Sequence, residues 1–318
     1  MYLCQRRSHN NLNTNYKPKI AVSIGDINGI SPHIALHCHE QLQKDFDIVY
    51  TANKFAFNQA STKLKKTNIL DIINVGTDFN LEPSCVTKES GLASFEAFVK
   101  ACDLADTKEV DAIITLPIHK KAWDLAGAHY AGHTEYLRDR YKQESIMALG
   151  CDKMFVGLYT DHIKLKDVFA KIKSKPIEKF LLNFYKEIKA DKIAVLGLNP
   201  HAGDGGVLGM EDFKIADAIK SANAKLGKEV FDGPFPPDTA YTLKMRKKYK
   251  FFAAMTHDHG LSVLKALYFD KSINVSLGLS IIRASVDHGV AFDIAYKKNP
   301  SFVSYFEAFK YVKNKILY

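Results

Sequence analysis

Short β-branched runs alternate with longer amphipathic stretches from residue 19 to the C-terminus. That alternation admits one main architecture, an α/β fold whose sheet is largely parallel. It predicts strands over 19–23, 46–50, 112–115, 154–158, 193–196, 251–255 and 273–276, and helices over 31–43, 90–106, 177–188, 211–226, 261–267 and 301–315. No repeat period, low-complexity tract or Pro/Gly/Ser linker divides the chain. Residues 19–318 are therefore read as a single catalytic unit of two interleaved lobes sharing a cleft. Residues 1–18, with Asn10-Asn-Leu-Asn-Thr-Asn15 and no apolar signal segment, are read as a mobile N-terminal tail.

Composition narrows the class. With 318 residues, 47% of them hydrophobic, the chain can build a core without staples. No apolar run approaches the roughly 20 residues of a bilayer span, so a membrane protein is excluded. Five cysteines form no C-x-x-C pair, so neither a disulfide framework nor a four-thiolate zinc site is encoded, and a cytoplasmic setting fits. The net charge of +9 is spread over clusters such as Lys171-Ile-Lys-Ser-Lys175 and Lys244-Met-Arg-Lys-Lys-Tyr-Lys250, which read as the wet faces or ends of helices. No recognition helix, zinc finger or RNA-binding signature accompanies them, so nucleic acid is not an expected partner.

In open α/β sheets, ligands bind beyond the carboxyl ends of the strands. Here those places are rich in chemistry: Gly25-Asp-Ile-Asn-Gly29, Thr115-Leu-Pro-Ile-His-Lys120, Tyr159-Thr-Asp-His162, Asn199-Pro-His-Ala-Gly203 and Thr256-His-Asp-His-Gly260. His162, His201 and His257 occupy equivalent places in the βα pattern. They read either as a catalytic divalent-metal site or as three unrelated loop histidines. His33 and His37, four apart on a predicted helix, read as a surface pair. The loop from Gly203 to Gly209 invites a dinucleotide fingerprint, but Leu208 stands where its last glycine belongs, so a Rossmann site is not expected. The loop reads instead as a helix cap or an anion contact. Gly132-His-Thr-Glu135 offers an imidazole, a hydroxyl and a carboxylate together. Lys265, Asn274 and Arg283, spread over a helix, a strand and the next turn, can form an anion clamp. No G-x-S-x-G or P-loop motif is present.

Eight blocks, among them T-L-P-I-H-K, G-H-T-E-Y-L, L-N-P-H-A-G-D-G-G, H-D-H-G-L-S-V-L-K and D-H-G-V-A-F-D-I-A, together resemble the 4-hydroxythreonine-4-phosphate dehydrogenases of bacterial vitamin B6 synthesis over residues 19–318. The last block is also similar to the adenosine-binding loop of isocitrate and isopropylmalate dehydrogenases. The resemblance implies their two-lobed, non-Rossmann α/β fold, with a mainly parallel mixed sheet and a cleft between lobes. It places metal ligands on His162, His201 and His257, substrate contacts on His133, Thr134, Lys265, Asn274 and Arg283, and cofactor contacts on His288, Gly289 and Asp293. It also implies a homodimer with the site at the subunit interface, so the three histidines need not converge within one chain.

The implied reaction is NAD- or NADP-dependent oxidation of 4-phosphooxy-threonine, aided by a divalent ion such as Zn2+, Mg2+ or Co2+, followed by loss of CO2 to give 3-amino-2-oxopropyl phosphate. Lys265 is placed in the catalytic set, and Asp238 or Asp258 is the candidate proton acceptor by charge and motif position. Two alternatives stand: a dehydrogenase of a related phosphorylated hydroxy acid, such as a phospho-threonate or phospho-erythronate, and a metal-dependent phosphate-ester hydrolase. The chain departs from the usual family pattern at Ile27, Asn28, Ser31 and His33 in the first block, at His259, expected to stand behind the metal ligands, and at Tyr296, where a glycine is common.

Overall fold

The computed structural model describes residues 16–68 and 70–317. In chain order the elements are β1 (Lys19–Ser23), α1 (Ser31–Leu42), β2 (Asp47–Ala52), α2 (Lys54–Lys63), β3 (Ile72–Asn74), α3 (Lys88–Asp106), β4 (Ala112–Thr115), α4 (Lys120–Leu125), α5 (His133–Tyr141), β5 (Ile146–Cys151) and β6 (Met154–Leu158). There follow α6 (Leu165–Lys171), α7 (Ser174–Ile188), β7 (Ile193–Leu196), α8 (Glu211–Leu226), β8 (Phe231–Phe235), α9 (Leu243–Lys248), β9 (Phe251–Ala254), α10 (His257–Tyr268), β10 (Ile273–Leu277), β11 (Arg283–Val286) and α11 (Val303–Leu317). Asn53, Thr87 and Thr256 cap α2, α3 and α10 by accepting a backbone N–H on their side-chain oxygens. No helix among the described residues is long and apolar enough to cross a membrane.

The strands form one 11-stranded sheet in the order β3-β2-β1-β4-β11-β10-β5-β6-β9-β7-β8. The first five are mutually parallel. Three antiparallel pairings then follow, β11 with β10, β10 with β5 and β5 with β6, and the last four strands are again parallel. The sheet is α/β and mixed, as expected, but it has two halves of opposite direction. The carboxyl ends of β1, β4 and β11 lie along one edge, and those of β6, β9 and β7 along the other. The five chemistry-bearing loops thus divide between two edges, those after β1 and β4 on one and those carrying His162, His201 and His257 on the other.

The two faces of the sheet differ. One carries a continuous core in which Val22, Tyr50, Ile114, Ala284, Val275, Ala148, Val195 and Ala253 meet helices that supply Leu36, Phe57, Leu181, Ile219 and Phe309. On the other face the core is split. Ala21, Val49 and Ile113 pack with Phe98, Cys102, Trp123 and Leu137 of α3, α4 and α5. Met147, Val156, Phe252 and Leu196 pack separately with Leu261 and Leu264 of α10. The gap between these two clusters lies over β4, β11 and β10.

His33 is buried, 8% exposed, and meets the Phe302 ring edge-on at 5.8 Å, while His37 stacks on the same ring at 4.0 Å. The expected surface pair is half core. Of the expected tail, residues 1–15 lie outside the described residues. Tyr16 and Lys17 are tied to the body: the Tyr16 hydroxyl donates to Asp111 Oδ2 at 2.6 Å and Lys17 Nζ to the Gln43 carbonyl at 3.1 Å.

Candidate active site

The gap has a polar floor because alternate residues of its strands point the same way. In β10 the sequence Ile-Asn-Val-Ser-Leu turns Ile273, Val275 and Leu277 into the continuous core and leaves Asn274 and Ser276 to the gap. In β11 Ala284 and Val286 do the former, Arg283 and Ser285 the latter. Arg283 therefore opens a strand, not the turn that was expected. Its guanidinium donates to Thr115 Oγ1 at 2.8 and 3.2 Å, to Asn274 Oδ1 at 3.2 Å and to Ser276 Oγ at 3.3 Å. The residue is 3% exposed, and all these acceptors are neutral. Burial pushes its pKa down to about 10. A buried cation held only by neutral oxygens is costly, and it creates a strong site for an anion.

The walls complete the clamp. His133 begins α5 after Gly132, and its ring packs against Phe98 at 4.5 Å and Trp123 at 5.4 Å. Complete burial and then the nearby Arg283 charge hold its pKa well below the usual histidine value, so the imidazole is neutral. Its Nε2 has no partner. Thr134 follows, partly exposed. From the opposite wall Lys265 of α10 reaches Asp287 Oδ1 at 3.2 Å, one residue beyond β11. The second Asp287 oxygen is buried and unpartnered. Arg283 thus bonds Asn274 directly and lies within electrostatic reach of His133, while Lys265 is joined to the end of β11 through Asp287.

The three histidines proposed as metal ligands follow β6, β9 and β7, which are immediate neighbours with β9 in the middle. The rings of His162 and His257 lie 5.9 Å apart. Asp258, otherwise exposed, bonds Nδ1 of His257 at 2.7 Å and leaves Nε2 free. Burial lowers the His162 pKa, against the pull of Asp161, and a neutral ring keeps its lone pair for a cation. Asp161 accepts the His162 N–H at 2.6 Å and is itself paired with Arg138 at 2.6 Å. These two imidazoles, one oriented by a carboxylate, fit a first-row divalent ion. His201 is exposed on the adjacent loop, makes no ring contact with either, and among the described residues no three His, Cys, Asp or Glu side chains converge into a metal site. The Nδ1 of His259 is buried without a partner, and burial lowers its pKa against Asp258 and Asp212. Asp238 lies exposed in the turn after the edge strand β8.

The loop before α8 opens on an irregular turn. Residues 201–205 form a left-handed turn with φ of 51, 52, 83, 44 and 63°. Asp212 anchors the turn, accepting the N–H groups of Leu198 at 2.8 Å and Asn199 at 3.1 Å and the Asn199 amide at 2.9 Å. The loop that carries His288, Gly289 and Asp293 follows β11 and rests on the first loop: Ile30 N–H donates to the Val290 carbonyl at 3.1 Å, and a Cβ on Gly29 would meet that carbonyl at 2.7 Å. Asn28, one of the departures, bonds the Glu82 N–H at 3.0 Å and the Cys85 carbonyl at 3.0 Å. His288 Nε2 is buried and unpartnered, and burial lowers its pKa.

Sequence reasoning missed Thr115, Ser276 and Asp287. The signal for Ser276 was the polar residue at every second position of β10, whereas Thr115 is the single polar residue closing the apolar run of β4. The family model described as pyridoxal phosphate biosynthetic protein PdxA matches residues 26–312. A 4-hydroxythreonine-4-phosphate dehydrogenase of Sulfurimonas denitrificans is 51% identical over 296 residues, 92% of this chain and 96% of that protein. One from Helicobacter pylori is 46% identical, over 93% of this chain and 99% of that protein. The crystal structure of the Klebsiella pneumoniae 4-hydroxythreonine-4-phosphate dehydrogenase superposes with a TM-score of 0.81 at 30% identity, covering 95% of this chain and 99% of the other.

Proposed function

This chain belongs to the pyridoxal phosphate biosynthetic protein PdxA family, an oxidoreductase family, and from that premise we propose that it oxidises 4-phosphooxy-L-threonine with NAD or NADP in pyridoxine 5'-phosphate (vitamin B6) biosynthesis. The product, 2-amino-3-oxo-4-phosphooxybutanoate, then loses CO2 to give 3-amino-2-oxopropyl phosphate. The observation that carries the reading is Arg283, a buried guanidinium bonded only to neutral oxygens, in a cleft whose other polar atoms await a ligand.

Each residue has a task. Arg283 and Asn274 hold an anionic group of the substrate on the sheet floor, and neutral His133 turns its free Nε2 to the same group. Lys265, steadied by Asp287, supplies a second cation from the opposite wall. His257 and Lys265 are eight residues apart on α10, about 12 Å along its axis. One helix therefore sets the distance between the imidazoles and the anion clamp. His162, His257 and His201 would hold the divalent ion, with His201 contributed within the chain or across a homodimer. When bound, that ion stabilises negative charge on the substrate alcohol oxygen and the dinucleotide accepts the hydride. Asp258 fixes the ring of His257, a positioning role that fits its bond better than proton acceptance.

The test follows NADH or NADPH absorbance with purified protein, 4-phosphooxy-L-threonine and Zn2+, Mg2+ or Co2+ in turn. Metal-dependent reduction of either dinucleotide is expected, and Arg283→Met lowers kcat/KM by about 100-fold or more, the loss of a charge-assisted contact. Absence of reduction with both dinucleotides and all three ions overturns the reading.

A further inference from the structure

Residues 287–296 are fastened from behind and unsatisfied in front. Besides the Asp287 N–H, which donates to Ser304 Oγ at 3.2 Å, three bonds tie the segment to residues 27–84: Ile30 N–H to the Val290 carbonyl at 3.1 Å, Ser84 Oγ to the Phe292 carbonyl at 2.6 Å, and the Tyr296 hydroxyl to the Ile27 carbonyl at 2.5 Å. In front, His288 Nε2 and Asp287 Oδ2 are buried without partners. Of the three ties, Tyr296 alone reaches out from the segment by its own side chain. Its backbone, like that of Ala291 at φ +46°, lies in the left-handed region. A tight turn, with Ala295 N–H bonded to the Ala291 carbonyl at 3.0 Å and Lys298 N–H to the Ile294 carbonyl at 3.0 Å, ends at Tyr296 with φ +60°, the left-handed region that favours glycine. A tyrosine held there against its preference needs compensation, and the bond to Ile27 together with ring packing on the continuous core provides it.

We propose that Tyr296 is a positioning residue for the dinucleotide: by clamping this segment onto the Ile27 carbonyl it holds His288, Gly289 and Asp293 in the shape that binds the cofactor. This rests on the reading of those three residues as dinucleotide contacts. The Tyr296→Phe variant keeps the ring and loses only the clamp. It weakens NADH binding, read by protein-to-nicotinamide energy transfer, by about tenfold, the value of one well-placed hydrogen bond. The dinucleotide KM rises alike, while kcat and the KM for 4-phosphooxy-L-threonine stay within twofold of the natural chain. A Tyr296→Gly variant, which relieves the φ but also lacks the clamp, binds NADH no better than Tyr296→Phe. NADH affinity within twofold of the natural protein in Tyr296→Phe, or tighter than natural in Tyr296→Gly, overturns the proposal. His288→Ala separates the two levels. If it weakens NADH binding while Tyr296→Phe does not, only the clamp is wrong; if the natural protein binds neither NADH nor NADPH, the cofactor reading falls and the clamp with it.

Discussion

Asp26 and Arg283 show what burial does to a single ionisable side chain. Asp26, just after β1, is 0% exposed, and burial raises its pKa from 3.8 to about 6 although the Asn28 N–H at 3.0 Å favours the anion. A carboxyl with a raised folded pKa binds its proton more tightly folded than unfolded, so its contribution to stability falls as pH rises from about 4 through 6 and returns on acidification. That shift is worth about 3 kcal/mol at most. Asp26→Asn, which keeps an oxygen for Asn28, should therefore exceed the natural chain in urea-unfolding free energy at pH 7.5 and lose that advantage by pH 4. An equal difference at both values would refute the assignment. Residue types of this kind were legible in the sequence: Asn274, Arg283 and His133 were chosen there, and Arg283 bonds Asn274 and acts electrostatically on His133. Their environments were not legible, because nothing in Gly25-Asp-Ile-Asn-Gly29 shows that its carboxylate is sealed from water.

At the scale of elements, hairpins decided what could be foreseen. Strand β5, Ile146-Met-Ala-Leu-Gly-Cys, is buried at all six positions, so it lacks alternation, and Met, Ala and Gly give it little β preference. Strand β11, Arg-Ala-Ser-Val, is short and opens on a charge. Without these two, the tight connections β5–β6 and β10–β11 are invisible, and short connections are what reverse a strand. The parallel repeat was readable and the reversal was not, so the opposed directions of the two sheet halves were not foreseen. The His201 loop illustrates the opposite case, an irregular element whose support is explicit. Its left-handed turn depends on Asp212, which satisfies two buried N–H groups. Asp212→Ala leaves both unmet and should cost about 3 kcal/mol in urea unfolding, with Asp212→Asn losing less because one acceptor oxygen survives. Gly197 packs so closely here that a Cβ would lie 2.4 Å from Asp212 Oδ1, which ties the end of β7 to the same anchor.

At the scale of the molecule, the imidazole edge is bordered by apolar side chains that face water in the single chain. Leu165 is 73% exposed and Phe169 52% after β6, and Val207 is 81% and Met210 61% exposed after β7. Two such segments flanking His162 and His201 make a patch of the kind that marks a protein interface. A second copy of the chain is the occupant that fits the proposed metal set, since it could bring His201 to the His162–His257 pair, which no third His, Cys, Asp or Glu side chain joins among the described residues. The expected state in solution is a dimer of twice 35.7 kDa. Replacing Val207 and Met210 together by aspartate puts charge into that contact and should give a monomer by sedimentation velocity, with Co2+ binding weakened at least about tenfold for loss of one imidazole in three. A monomer with undiminished Co2+ affinity would place His201 with the pair of its own chain, and an intact dimer would place the interface on another face.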